Sequence, residues 1–569
     1  MCGIYGVINR KVRREQAMEC LDTMIHRGPD GFGLWQEDGV TLGHRRLAIL
    51  DLSSAGSQPM SYANERYWMT FNGEIYNFIE IREELQHKGY TFRGNSDSEV
   101  IMAAYCEWKE KCVDRFNGMW TFAIWDRQEK SLFLSRDRFG VKPLYYTEFP
   151  DGGFAFASEM KALLPLLERV EPNKEMFDRY FADNHYESQP ECLIKGIKRF
   201  PAGSYAWIRN GKTEITRFWN TLDHLIEVPD TYEEQVEQFR ELFLDACKIR
   251  MRSDVTLGTG LSGGLDSSAT ICAMSYISRN CADERANKDW QHAYVACFPG
   301  TDLDETKYAK QVTDYLGIRH TFLTIDDAVP EREFLRQLYC FEELWGNPQV
   351  PMMELYKKER ELGTTVSLDG HAADELFAGY GFDVLKAYPD AKGKAEIDQI
   401  TMAYLNQRSE MGYDPSSAEF KRQRNKLYRD YMTKYYAKKL LGRADVSSAY
   451  ADHPNWKKLD NLNKVLFVST HETILPTLLR NYDRDSMASG VEIRMPFLDY
   501  RIVEFAFSIG WKSKLHGGFS KSIVRDACAD FMPHDIAYRR TKLGFNAPIL
   551  DWMRGPYRQF FEDTVADPA

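Results

Sequence analysis

The sequence predicts a multidomain α/β protein, with a layered, β-rich N-terminal half followed by a doubly wound parallel sheet that carries a helical insertion. Three observations point to this class. At 569 residues the chain exceeds what one hydrophobic core ordinarily supports. Residues 1–220 hold short apolar runs broken by Gly, Asn and Asp, such as ERYWMTFNGEIYN and SLFLSRDRFGVKPLYY, the pattern of antiparallel strands and their turns. Beyond the polar, proline-containing stretch TLDHLIEVPDTYEEQ, apolar strands alternate with amphipathic helices, the rhythm of a parallel sheet.

The elements follow in order. A strand-like run, Ile4 to Ile8, stands directly behind Cys2 and Gly3, and helical windows are expected near Glu15–Ile25 and Asp97–Cys112. The change of rhythm at 220–232 divides the chain into units spanning 1–220 and 232–569. In the second unit, strands are expected at Asp254–Leu261, Ala293–Phe298, His320–Ile325 and Thr364–Leu368, with helices over SSATICAMSYIS and DETKYAKQVTDYLG between them. Ligands of such a sheet bind at the carboxyl ends of its strands. From about 381 to 470 the chain turns charged and helical, as in KRQRNKLYRDYMTKYYAKKLLGR, and reads as a solvated insertion.

Composition narrows the function. A net charge of −11 argues against a nucleic-acid partner. Eleven cysteines with no CxxC pair, and no cleavable hydrophobic leader, are expected of reduced thiols in a cytoplasmic protein. No apolar run reaches the roughly 18 residues of a membrane helix, so no membrane insertion is expected. There are no repeats and no low-complexity tract.

The stretch GTGLSGGLDSS lies where a strand ends and a helix starts. Gly258, Gly260 and Gly263 satisfy GxGxxG by letter, but a dinucleotide site also needs an acid about 20 positions on, and none is well placed near Phe298, where the second strand ends. The alternative takes Ser262 to Ser268 as a phosphate loop. Its backbone N–H groups at Gly263 and Gly264, and the hydroxyls of Ser262, Ser267 and Ser268, would face an anion at a helix N-terminus. It lacks the lysine of GxxxxGK[ST], so it suits pyrophosphate released by attack at an α-phosphate better than γ-phosphoryl transfer. Asp266 inside it would repel phosphates unless it holds Mg²⁺. A second acidic cluster, SLDGHAADELFAGY, follows the strand Thr364–Leu368 and brings Gly370, Asp374 and Glu375 towards the same cavity.

In order along the chain stand MCGIYGVINR, HRGPDGFG, GHRRLAILD, FNGEIYN, GNSDSEV, RDRFGVKPLYY, FASEMKAL, LSGGLDSS, ADELFAGY, DRDSMASGVEIRMPFLDYRIVE and RRTKLGFNAPILDWM. This series resembles the glutamine-hydrolysing asparagine synthetases over nearly the whole chain apart from the insertion. The resemblance implies an N-terminal Ntn-hydrolase αββα sandwich acting as a class II glutamine amidotransferase, and a C-terminal ATP-pyrophosphatase domain using ATP and Mg²⁺. It implies that Cys2, freed by loss of Met1, supplies both thiol nucleophile and α-amine base. Asn72 and the Gly73 backbone become the oxyanion hole, and Arg46, Glu74 and Asp97 the clamp on glutamine. The second site inherits the Leu261–Ser268 loop and Gly370 for ATP and pyrophosphate, Asp266 and Asp374 as magnesium ligands, and Lys521 as the cation at the α-phosphate.

One position departs. The family as a rule carries glutamate where this sequence has His371, and LDG followed by His is similar to members associated with surface-polysaccharide pathways. An imidazole can also take a proton from attacking ammonia, but with a different charge. The acceptor is therefore either aspartate or another acid such as a sugar uronate. A non-catalytic scaffold subunit is the reading from another class, and every nucleophile and acid that the mechanism needs speaks against it. A homodimer is the base-rate expectation.

Overall fold

Alternation of large apolar residues builds two stacked antiparallel sheets from the first 217 residues of the computed structural model. The structure describes residues 1–567 apart from 184–186, 188, 282–284, 326–330, 345–349, 542–547 and 556. One sheet runs Lys198–Arg199, Tyr145–Glu148, Phe154–Ala157, Gly3–Ile8, Val40–Arg46, Gly31–Glu37 in spatial order. The other runs Lys212–Arg217, Ser204–Arg209, Ser131–Arg136, Gly118–Asp126, Tyr67–Ile75, Met60–Tyr62. Successive side chains of a strand point to opposite faces. Ile4 and Ile8 accordingly enter the core between the sheets with Leu42, Trp125, Leu134 and Phe156, while Tyr5 and Val7 pack outward on Ala17, Cys20 and Leu21 of the helix Arg14–Asp22. The helices Phe78–His87 and Asp97–Trp108 cover the other sheet, which completes an αββα sandwich.

Two details depart from the sequence expectation. The first helix stops at Asp22 because the Thr23 hydroxyl donates to the Cys20 carbonyl, 2.7 Å, and residues 23–25 turn away. The helix Phe78–His87 was not anticipated: it follows a strand after two residues, and only Phe78, Ile81 and Leu85 of its ten residues face the core.

The second sheet system is wholly parallel, in the order Arg319–Thr324, His292–Cys297, Leu257–Gly260, Val366–Leu368, Glu492–Arg494. The four expected strands form. The first begins at Leu257 rather than Asp254, because the Ser253 hydroxyl accepts the Val255 N–H at 3.1 Å and closes a turn there. The last begins at Val366 rather than Thr364, whose N–H instead donates to Glu359 O at 3.0 Å. Glu492–Arg494 is a fifth strand that its three residues did not advertise. Order reverses between Leu257–Gly260 and Val366–Leu368, so the loops after these two strands diverge and leave a crevice between them. In the 381–470 region the 23-residue helix Ala418–Leu440 buries only Phe420 and Met432. No helix among the described residues is long and apolar enough to cross a membrane.

Candidate active sites

The strand Gly3–Ile8 starts beside residues expected to serve glutamine: Asn72 and Arg46 stand near Cys2, and Asp97 stands near Glu74. The Cys2 backbone N–H donates to Asn72 Oδ1 at 3.0 Å, and the Cys2 thiol lies 3.7 Å from Leu47 O. Burial raises the Cys2 thiol pKa, an effect opposed by the terminal ammonium and by the Arg46 guanidinium nearby. Asn72 Nδ2 is buried with no hydrogen-bond partner, a donor left free to meet a developing oxyanion. Beside it Gly73 adopts φ +151°, and a Cβ there would fall 2.7 Å from Trp120 Cα, so only glycine fits. Arg46 spans the following loop through the carbonyls of Ser53, 2.9 Å, and Asp51, 2.5 Å.

Glu74 and Asp97 are both buried, and the Asp97 charge acts on Glu74. Asp97 accepts the Ile75 N–H at 2.9 Å, yet burial pushes its pKa up to about 7. Burial and the neighbouring Glu492 carboxylate raise Glu74 well above the usual range. Two acids in this state are suited to receiving an ammonium, which restores their charge. Met1 is buried, its ammonium 3.8 Å from Glu492 and drawn down to about 6, first by burial.

A second site occupies the crevice of the parallel sheet, a cavity of about 490 Å³. Gly264 ends the phosphate loop and the helix Leu265–Asn280 begins at the next residue, so its first N–H groups point into the cavity. The loop is braced internally. Ser262 Oγ and Ser267 Oγ are 3.1 Å apart, and Gly264 N–H donates to Ser262 Oγ at 3.2 Å. Gly263 takes φ +75°, and a Cβ would strike Tyr308 Cβ at 2.7 Å. Gly370, from the loop after Val366–Leu368, packs directly on the peptide joining Asp266 and Ser267.

Lys521 ties the cavity together. Its ammonium stands 2.5 Å from both Asp266 Oδ2 and Asp374 Oδ1. Burial would lower its pKa, but the two carboxylates outweigh that and hold it above the ordinary range. Its backbone is left-handed, φ +53°, a conformation kept where surroundings over-determine it. Ser267 and Ser268 start the helix, with Ser268 fully buried and turned away from the cavity lining. Leu261 lines the floor. His371 lies in the same cavity, its ring stacked on Tyr482 at 3.6 Å, with Nε2 3.5 Å from Asp369 Oδ2. Asp369 is itself fixed by the Tyr356 and Ser367 hydroxyls, both 2.7 Å, and by Gly260 N–H at 3.0 Å. Burial works against its charge, yet these hydroxyls and His371 hold its pKa below the ordinary value.

Two family models cover almost all of the chain: a glutamine amidotransferase domain matches residues 1–219 and asparagine synthase matches 238–569. The chain belongs to the glutamine-hydrolysing asparagine synthetase family. Asparagine synthetase 1 of Bacillus subtilis is 30% identical, covering 100% of this chain and 90% of its own length. Asparagine synthetase 3 of the same species is 32% identical over 95% of this chain and 86% of its own length. Asparagine synthetase B of Escherichia coli is 27% identical over 97% and 83%.

Within this family framework, several residues at the two sites were not singled out from the sequence. Arg494 reaches from the parallel sheet to Glu74 at 3.3 Å, and Glu492 stands beside it. Arg525, Arg539 and Arg540 line the second cavity, with Arg525 drawn down to about 10 by burial. The motif DRDSMASGVEIRMPFLD was a visible signal for the first pair, and RRTKLGF for the last, but neither string says which side chain turns inward. The stretch KLGFNA of RRTKLGFNAPILDWM, residues 542–547, lies outside the described residues.

Proposed function

We propose that this enzyme hydrolyses glutamine at Cys2 and uses the released ammonia to amidate a carboxylate adenylated in the second cavity, giving AMP and pyrophosphate. The observation that carries this reading is Lys521 held at 2.5 Å between Asp266 and Asp374, in the crevice where the phosphate loop and the 370s loop diverge. An ammonium and two carboxylates meeting at a helix N-terminus suit a polyphosphate and its counter-ion, and suit little else.

At the first site, removal of Met1 turns the nitrogen now bonded to Asn72 into an α-amine next to the thiol. That amine takes the thiol proton as sulfur attacks the glutamine amide. Asn72 Nδ2 and the Gly73 backbone N–H receive the oxyanion, Arg46 holds the substrate carboxylate, and Glu74 with Asp97 holds its ammonium.

At the second site, the N–H groups of the Ser262–Ser268 loop bind the pyrophosphate part of ATP and Lys521 offsets charge at the α-phosphate. Mg²⁺ fits the donor set: hard carboxylate oxygens from Asp266 and Asp374, with Asp266 Oδ1 buried and lacking a hydrogen-bond partner. When bound it supplies charge neutralisation that makes pyrophosphate a better leaving group. His371, aimed by Asp369, takes the proton that ammonia sheds on attacking the acyl carbon.

The names of the relatives favour aspartate as acceptor. His371 favours a second reading, an acid other than aspartate, because an imidazole replaces the family's carboxylate at the acceptor end of the cavity. The eleven free thiols support a cytoplasmic setting, and a homodimer is the proposed assembly. The test is a pair of variants. Cys2→Ala should abolish glutamine hydrolysis but still form AMP with free ammonia, and Asp266→Ala should hydrolyse glutamine without forming AMP. If both variants keep both activities, the proposal fails.

A further inference from the structure

The helix Ile474–Met487 stands between the two sites and presents a different face to each. Leu478, Asn481 and Tyr482, at i, i+3 and i+4, line the nucleotide cavity, where Tyr482 stacks on His371. Arg480, Asp483 and Arg484, on the adjacent face, bind the glutaminase half. Arg480 pairs with Glu187, Arg484 Nη1 reaches Glu159 Oε1 at 3.0 Å, and Asp483 receives a bidentate Arg27 at 2.7 and 3.0 Å. The same Arg27 donates through Nε to the carbonyl of Cys2 at 3.1 Å. Arg27 and Asp483 are both buried, so no water competes for this bond.

We infer that Asp483 is a positioning residue for the nucleophile, and that the helix carrying it and Tyr482 couples occupancy of the acceptor cavity to thiol alignment. Adjacent residues of one rigid helix contact the two centres. With the acceptor cavity unfilled Asp483, together with Glu159 at 2.9 Å from the Arg27 guanidinium, holds Arg27 and the Cys2 peptide out of line. A small rotation that tightens Tyr482 against a filled cavity brings them into line, a restraint that Asp483→Asn removes. Arg27 then carries the shift to the Cys2 peptide. The planar guanidinium makes the link directional: its fork fixes Asp483 on one side and its Nε fixes Cys2 on the other. A helix that couples the sites in this way holds glutamine hydrolysis in step with AMP formation and limits ammonia made to no purpose. The inference rests on Cys2 being the nucleophile.

The experiment measures glutamine consumed per AMP formed in the full-length enzyme, with ATP, Mg²⁺ and aspartate or another accepted acid. For Asp483→Asn the ratio should rise at least about fivefold over the unsubstituted enzyme, the low end of typical coupling, while AMP formation from free ammonia persists. An unchanged ratio overturns the inference. Should Asp483→Asn also lose ammonia-dependent turnover, Tyr482→Leu decides through glutamine hydrolysis alone: a rate that ATP and the acid no longer change supports the coupling, and a rate they still change as in the unsubstituted enzyme overturns it. Cys2→Ala run alongside separates the two levels. If it still hydrolyses glutamine, the proposed function itself is wrong; if it is inactive while both helix variants behave as the unsubstituted enzyme does, only the coupling is.

Discussion

Replacing Gly370 by alanine tests the nucleotide site through a single methyl group. A Cβ on Gly370 would sit 2.5 Å from Ser267 N and 2.6 Å from Asp266 O, both backbone atoms of the phosphate loop. Ordinary contact begins near 3.4 Å, so the loop, or the strand end that carries Gly370, must move by about 1 Å. A displacement of that size between reacting groups costs on the order of 10²-fold in rate, or about 2.7 kcal/mol of barrier. The expected outcome for Gly370→Ala is thus a loss of about 10²-fold in acceptor-dependent exchange of labelled pyrophosphate into ATP. Glutamine hydrolysis is measured in the same preparation and should persist. Exchange within about threefold of the unsubstituted enzyme would refute the claim that this loop holds the pyrophosphate.

Further outcomes follow from the same geometry. Asn72→Ala removes the free Nδ2 donor and should lower kcat for glutamine hydrolysis by about 10²–10³-fold, read as ammonia release, with pyrophosphate exchange intact. Lys521→Ala leaves Asp266 and Asp374 facing ATP without their shared cation and should cost pyrophosphate exchange about 10²-fold or more, while Cys2 still hydrolyses glutamine. For pH, burial draws Asp97 up to about 7, so its charge is lost progressively as pH falls through that value. Glutamine's ammonium binds the charged form, so KM for glutamine should rise as pH falls through about 7, approaching tenfold per unit below it. A KM that stays flat across that range would contradict the assignment of Asp97 to the ammonium.

The parts legible in the sequence are those whose chemistry is local. Ser262 to Ser268 stand out because glycines, hydroxyls and an acid coincide at one strand-to-helix junction, and the Asp374 cluster stands out at another; the structure brings residues of both to one cavity, as the sequence led us to expect. The αββα half was legible as alternating runs, since Ile4 and Tyr5 on opposite faces of one strand need nothing beyond the pleat. What was not legible comes from across the chain. Arg494 and Glu492 sit on a three-residue strand, yet they set the charge around Glu74, over 400 positions earlier. Arg27 and Asp483 likewise form one buried pair between separate halves, and neither position alone has a pattern that names the other. Periodicity reports which face is buried, not which distant charge it will meet.

The central claim is that sulfur frees nitrogen at one site while ATP is cleaved at its α-phosphate at the other. Product analysis with amide-¹⁵N glutamine, ATP, Mg²⁺ and the accepted acid tests it most directly. The account predicts AMP and pyrophosphate rising in step with a ¹⁵N-amide product; ADP and orthophosphate in their place would contradict it.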